Sequence, residues 1–372
     1  QQDYGGWNLS TPYRSHSHQF MNKQFLFLNK FAAINRSEIF DLSSDNYVNL
    51  VKFFETGAID RTHTLVSGFK YNVIDPIPEI TSSRPPIDEL MRETAREILK
   101  LAEKRKQKIL VLWSGGIDST AALLALLEIC GKNSTDIISL GSSHGSFVEF
   151  PEFGKYLMEQ NIEILPMVHP VSKYLPQDYI VVTGEHGDQL FGSDKMLPLV
   201  DSGLGDLPYK KYLPFFIAEK LGNIKQVSHL VEYLEAIIEK CPFTITDICQ
   251  CLWWFNFVLK WQQVSLRIPV WSGKNVKQVF DQCEHFYRNE KFQLWSLARE
   301  RKNPHTVDRY KAELKEFINQ RFVCEKYFLR KRKEISLRPR AEKKWWELAR
   351  HRWSFVMDET WNLEKQIIPH YL

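Results

Sequence analysis

Lys108-Ile109-Leu110-Val111-Leu112-Trp113 runs directly into Ser114-Gly115-Gly116-Ile117-Asp118-Ser119, and a helix-forming run from Ala121 to Ile129 follows. The apolar run has strand length and no alternation, as a parallel strand buried on both faces requires. A parallel strand needs a crossover, normally helical, so this segment points to a layered α/β fold. The glycine turn offers bare backbone N–H groups and the positive end of a helix to a phosphate. The hydroxyls of Ser114 and Ser119 can add hydrogen bonds, and Asp118 can hold Mg²⁺. No G-x-x-x-x-G-K-[ST] pattern occurs, which excludes the Walker arrangement.

Strand and helix signals alternate from there. The pattern predicts strands at Ile109–Trp113, Ile137–Leu140, Glu163–Met167 and Tyr179–Thr183. It predicts helices at Ser119–Cys130, stopped by Gly131, and near Glu152–Gln160. A parallel twisted sheet with right-handed crossovers and flanking helices is the expected core. From Lys210 onward the pattern is mainly helical. Upstream, residues 1–95 show no strong helical period, and Ser82-Ser83-Arg84-Pro85-Pro86 reads as a linker. Ile87 to Arg105 is charged and helix-friendly, with Leu90, Met91, Ile98, Leu99 and Leu101 as a partial apolar face. The division expected is a small N-terminal region, 1–95, and a nucleotide-binding domain, 96–372.

A chain of 372 residues suggests one large or two ordinary domains. At 44% hydrophobic and 13% aromatic it can bury a substantial core. No apolar run reaches membrane-spanning length and no secretory leader opens the chain, so a cytoplasmic protein without membrane contact is expected. Cys130, Cys241, Cys249, Cys251, Cys283 and Cys324 form no C-x-x-C pair and read as reduced thiols. The net charge of +4 is uneven: residues 321–352 carry +8, while the first 320 carry −2.

A second glycine-rich loop follows the Tyr179–Thr183 strand: Gly184-Glu185-His186-Gly187-Asp188-Gln189-Leu190-Phe191-Gly192. Glycines there let backbone approach a ligand at the carboxyl end of a strand. Glu185 and Asp188, three apart, can aim at one pocket from a first helical turn.

The first loop resembles the pyrophosphate-binding loop of the N-type ATP pyrophosphatases. Together the two loops resemble the synthetase domain of the asparagine synthetases and their relatives, including the β-lactam and carbapenam synthetases. The family pattern S-G-E-G-x-D-E-L-F-G-G is met by Thr183, Glu185 and Asp188. It departs at His186 for a Gly, Gln189 for the second Glu and Ser193 for the final Gly. Three softer similarities extend the match over roughly 45–350. Leu266-Arg267-Ile268-Pro269-Val270 is similar to E-x-R-x-P-F, with Ser265 in place of the Glu. Glu325-Lys326-Tyr327-Phe328-Leu329-Arg330 is similar to K-x-x-L-R. Phe54–Gly57 with Thr64–Lys70 is similar to the connector before that domain.

The resemblance implies an adenine nucleotide alpha hydrolase-like fold and ATP with Mg²⁺ as cofactors. It implies adenylation of a small-molecule carboxylate, release of pyrophosphate, and transfer of the acyl group to ammonia or an amine. Ser114, Gly115, Gly116, Asp118, Ser119 and Gly184 would hold the nucleotide, with adenine against backbone near Leu112 and Leu140. Asp118 and Asp188 would bind Mg²⁺, and Glu185 would orient or deprotonate the amine. Lys326, with Lys343 or Lys344, would meet the leaving pyrophosphate. Gln189 and Ser265 each replace a carboxylate, which disfavours free aspartate as substrate. The family's glutaminase nucleophile is an N-terminal Cys, whereas the first Cys here is Cys130; a lost or reduced glutaminase, with nitrogen from ammonia, an amine or a separate glutaminase subunit, is the expectation.

Two other readings stay open. One is an enzyme that modifies tRNA or a nucleobase through the same loop, in keeping with Arg330–Lys333 and the neighbouring Trp345 and Trp346 as a nucleic-acid patch. The other is a non-catalytic relative that binds nucleotide and a partner. Oligomeric state is left undetermined by the sequence.

Overall fold

The structure is a computed structural model and describes residues 25–27, 45–65, 72–80, 85–168, 170–192, 195–270, 272, 276–298, 310–331 and 355–357. Strand β1 (Phe25–Phe27) pairs antiparallel with β7 (Phe355–Met357). The main sheet contains β2 (Lys108–Leu112), β3 (Ile138–Ser142), β4 (Glu163–Pro166), β5 (Tyr179–Thr183) and β6 (Cys283–His285). All four pairings within it are parallel, in the order β4-β3-β2-β5-β6. The chain builds outward from β2 to β4 on one side, then returns to place β5 on the other side of β2. That reversal opens a crevice at the carboxyl ends of β2 and β5, where open α/β sheets bind ligands. Register sets Leu112 beside both Gly141 and Thr183, so the two glycine loops leave the same edge as neighbours.

Ile109, Val111, Ile138, Leu140, Ile180 and Val182 feed the larger core, while Leu110, Leu112, Val181 and Cys283 join a smaller cluster with Met167 and Val171. Two buried faces explain the unalternating apolar strands. The helix Ile117–Cys130 buries every residue from Ser119 to Leu126, because it lies between the sheet and two outer helices, Ile87–Arg105 and Ala312–Arg321. The first of these carries Asp88 and Glu89 in its first turn and Lys104 and Arg105 in its last, matching the helix dipole. Its apolar stripe is Leu90, Met91, Ala95, Ile98 and Ala102; Leu99 and Leu101 are only partly buried.

Ile248–Leu259 is a helix buried at every position but Gln250, and its indoles are satisfied by backbone: Trp253 donates to the Leu190 carbonyl at 3.1 Å and Trp254 to the Ile237 carbonyl at 2.8 Å. Helices Tyr209–Leu221 and Ile224–Ile238 complete this side, as the helical reading of the later chain anticipated.

Several expectations need correction. Asp45–Phe54 is a helix, with Tyr47, Leu50, Val51 and Phe54 buried at helical spacing within the main core. Its Asn- and aromatic-rich surroundings hid that period. Strand β6 was not expected, since three residues show no alternation. Strand β3 runs to Ser142 rather than Leu140. The boundary at 95/96 falls inside the Ile87–Arg105 helix. The segment 45–65 also hydrogen-bonds into the larger body: Ile59 N–H donates to the Leu259 carbonyl at 3.0 Å and Arg61 Nη1 to the Phe257 carbonyl at 3.1 Å. The expected linker at 82–84 and connector residues 66–70 lie outside the described residues. All six cysteines are free, as expected. Among the described residues no helix is long and apolar enough to cross a membrane.

Candidate active site

The turn after β2 is shaped by its own serines. Ser114 Oγ accepts from Gly116 N–H at 3.2 Å and shares a 2.9 Å bond with Ser119 Oγ. Ser119 Oγ also accepts from Ser114 N–H at 3.1 Å and lies 3.3 Å from the Gly116 carbonyl, to which it donates. Ser119 therefore has its one proton on Gly116, and Ser114 supplies the proton between the two hydroxyls. Gly115 sits at φ +76°, and a Cβ there would lie 2.4 Å from the Ser146 carbonyl oxygen, so conformation and space both require glycine. Gly116 is the N-cap of Ile117–Cys130, whose first-turn N–H groups lack intrahelical acceptors. This is the geometry of an anion site.

The second loop packs directly on the first. A Cβ on Gly184 would lie 2.7 Å from Ser119 N, and one on Gly187 would lie 2.3 Å from Asp118 Cγ. These two close approaches, Gly184 to backbone and Gly187 to the Asp118 carboxylate, bring Asp118 and Asp188 together from positions seventy apart. The ammonium of Lys311 marks their meeting point: Nζ lies 2.7 and 2.6 Å from the two oxygens of Asp118 and 2.7 Å from Asp188 Oδ1. Burial alone would lower this ammonium's pKa, but the two carboxylates raise it above its ordinary value, so it is charged. Tyr287 Oη donates to the Asp118 carbonyl at 2.8 Å and holds the loop from the β6 side.

Two carboxylates converging on one cation are a suitable donor set for Mg²⁺, which takes one or two carboxylates and fills its remaining positions with phosphate oxygens and water. Among the described residues no three His, Cys, Asp or Glu side chains converge to hold a metal unaided. The residues thus fit a metal that arrives with a nucleotide.

Glu185 pairs with Arg267, its side chain mostly covered while Arg267 is half exposed. Beneath them lies a buried chain of neutral groups. His285 Nε2 lies 3.1 Å from the Ser265 carbonyl, so it carries the proton and Nδ1 is a lone pair. Thr183 Oγ1 therefore donates to that Nδ1 at 2.7 Å and accepts from Glu185 N–H at 3.2 Å. Ser265 Oγ donates to the Trp261 carbonyl at 3.1 Å, so at 2.9 Å it accepts from Nε2 of His186. Among the described residues Nδ1 of His186 is buried without a partner. Burial, reinforced by Arg288, lowers the His285 pKa to about 3; burial and His285 push His186 well below its ordinary value. His186 takes φ +71° with its ring 4.4 Å from that of Trp261. Two of the positions that depart from the patterns quoted above, His186 and Ser265, therefore touch each other. A glutamate at 265 would meet an imidazole in a buried space. Gln189, the third departure, is buried and donates to Asn256 Oδ1 at 3.3 Å, and Asn256 in turn donates to the Asp188 carbonyl at 2.7 Å.

The structure thus brings together Ser114, Gly115, Gly116, Asp118, Ser119, Gly184, Glu185 and Asp188. Leu112 and Leu140 project to opposite faces of the sheet, each buried, so only their backbone can lie along one crevice. Lys326 does not join the cluster. It is exposed on the helix Glu325–Arg330, and the inward positions are Tyr327 and Lys331, four apart. Tyr327 Oη donates to the Gly115 carbonyl at 3.1 Å and its ring stacks on Phe150 at 3.7 Å. Lys331 Nζ lies 2.8 Å from Glu149 Oε2, beside Gly115. Lys343, Lys344, Ser193 and the basic residues 332–352 lie outside the described residues. Sequence reasoning missed Lys311, His285 and Tyr327. Lys311 sits in no motif; its only local signal is the left-handed conformation, φ +54°, that opens Ala312–Arg321.

A cavity of about 590 Å³ opens elsewhere, lined by Arg61, Pro76, Ile77, Pro78, Lys240 and Trp254, and no motif residue lines it. Arg61 is already committed to the Asp75 and Phe257 carbonyls and to Gln293. Neither the family models nor the curated proteins compared with this chain give a match.

Proposed function

We propose that this chain is an ATP-dependent carbon–nitrogen ligase that forms AMP and pyrophosphate. The observation that carries the reading is the packing of Gly184 and Gly187 on Ser119 and Asp118, which sets two carboxylates and a helix N-terminus around one point at the reversal of the sheet. A carboxylate oxygen of the substrate attacks the α-phosphorus of ATP, and the bond to the bridging oxygen breaks to release pyrophosphate. The nitrogen of ammonia or an amine then attacks the acyl carbon, loses a proton, and AMP leaves.

The turn Ser114–Ser119 holds the pyrophosphate portion through backbone N–H groups and the helix end. Adenine lies along the backbone beyond Leu112 and Leu140. Asp118 and Asp188 would hold Mg²⁺, which would supply positive charge against the phosphates. Glu185, its backbone fixed through Thr183 and His285, orients the amine and accepts its proton, while Arg267 pairs with that carboxylate. Positioning and charge neutralisation are the main demands of phosphoryl chemistry, and these groups supply both.

The test is a panel of carboxylates and amines, with and without ammonia, incubated with the chain, ATP and Mg²⁺. AMP and pyrophosphate in equal amounts, dependent on the carboxylate, are expected. ADP and orthophosphate as the products would overturn the reading.

A further inference from the structure

Lys311 stands where a bridging metal would stand. Its ammonium is within 2.7 Å of both oxygens of Asp118 and of Asp188 Oδ1. One point within bonding reach of both carboxylates is occupied by one cation. A second cation cannot bridge the same oxygens while the first remains, because two positive charges a few ångströms apart in a partly buried site repel strongly. The side chains of Asp118 and Asp188 are 20% and 22% exposed, whereas that of Lys311 is 2% exposed. The two carboxylates thus stay partly open to solvent while the lysine between them is covered.

We propose that Lys311 is an internal stand-in for the divalent ion, neutralising Asp118 and Asp188 in the empty site and withdrawing when Mg²⁺ takes their bridging position. This rests on the reading of Asp118 and Asp188 as the metal pair. Without such a counter-ion two carboxylates would share one low-dielectric space, where like charges resist joint ionisation. The lysine offsets the repulsion between the two carboxylates in the empty site, at the cost of competing with a metal for the same oxygens. Metal affinity is thereby set by an exchange of cations rather than by simple filling of a vacancy.

Mn²⁺ binding, read by electron paramagnetic resonance on the chain alone, tests this without turnover. Lys311→Met keeps the length of the side chain and removes its charge, and is expected to bind Mn²⁺ roughly tenfold more tightly or better. Equal or weaker binding than the wild type would overturn the proposal, as would binding by neither protein. A second measurement needs no variant. In the wild type labelled with ¹⁵N-lysine, a buried bridged ammonium exchanges its protons slowly and gives its own NMR signal. That signal is expected to disappear on addition of Mg²⁺; its persistence at Mg²⁺ concentrations that displace bound Mn²⁺ would show that Lys311 stays in place. The ligase reading stands or falls separately, on whether ATP becomes AMP.

Discussion

A methyl group on Gly187 would lie 2.3 Å from Asp118 Cγ, and one on Gly131 would meet nothing within 4 Å. The two glycines therefore separate space from conformation. Gly187→Ala should cost about 1–3 kcal/mol through overpacking and abolish AMP formation, since the carboxylate itself must move. Gly131→Ala, at φ +55°, should cost about 1 kcal/mol and leave turnover alone. Urea unfolding with product analysis separates the two outcomes. The buried imidazoles make a pH prediction. The pKa of His285 is lowered from 6.5 to about 3 and that of His186 is lowered as well. The unfolded chain binds protons at these rings below about pH 6.5 that the folded chain refuses, so stability should be level above that pH and fall beneath it. The expected slope is up to about 1.4 kcal/mol per pH unit for each ring. Denaturant midpoints at pH 7.5, 6 and 5 measure it, and a flat profile would refute the assignment.

Short helices decide which side chains reach the loop. On Glu325–Arg330 the helical turn points Tyr327 inward and leaves Lys326 in solvent, and Lys331, the extended residue that caps the helix, is buried as well. Tyr327→Phe removes the hydrogen bond to the Gly115 carbonyl and should cost about 1 kcal/mol. Lys331→Met breaks the buried ion pair with Glu149 and should cost about 3–5 kcal/mol. Lys326→Ala should change stability by less than about 0.5 kcal/mol. Thermal or urea unfolding of the three variants orders them; a large effect at Lys326 with none at Lys331 would contradict the helix orientation.

At the scale of the molecule, the segment 45–65 belongs to the larger core. Leu50, Val51, Phe53, Phe54 and Ile59 are buried in one cluster with the sheet and the Trp-rich helix. A chain beginning at Pro86 would expose those faces of the helices Tyr209–Leu221 and Ile224–Ile238. It should lose cooperative unfolding and bind hydrophobic dyes, by calorimetry and fluorescence. A sharp calorimetric transition in the truncated chain would show instead that 86–331 is self-sufficient.

The sequence by itself determined the parallel strands, because a strand buried on both faces must be apolar throughout, and Tyr179–Thr183 and Ile87–Arg105 were legible to the residue. It determined the two loops as well, since each is a short contiguous run of glycines and carboxylates at the end of a strand. It did not contain the meeting of those loops, which depends on β5 returning to lie beside β2. Nor did it reveal Lys311, which reaches Asp118 and Asp188 across 193 and 123 residues of chain and shares no motif with either. His186 and Ser265 looked like two separate departures from a pattern, and only their 2.9 Å contact makes them one. Local signals record what a residue needs from its neighbours in the chain. Charge pairing in a crevice is settled by neighbours in space, and there the tertiary structure alone decides.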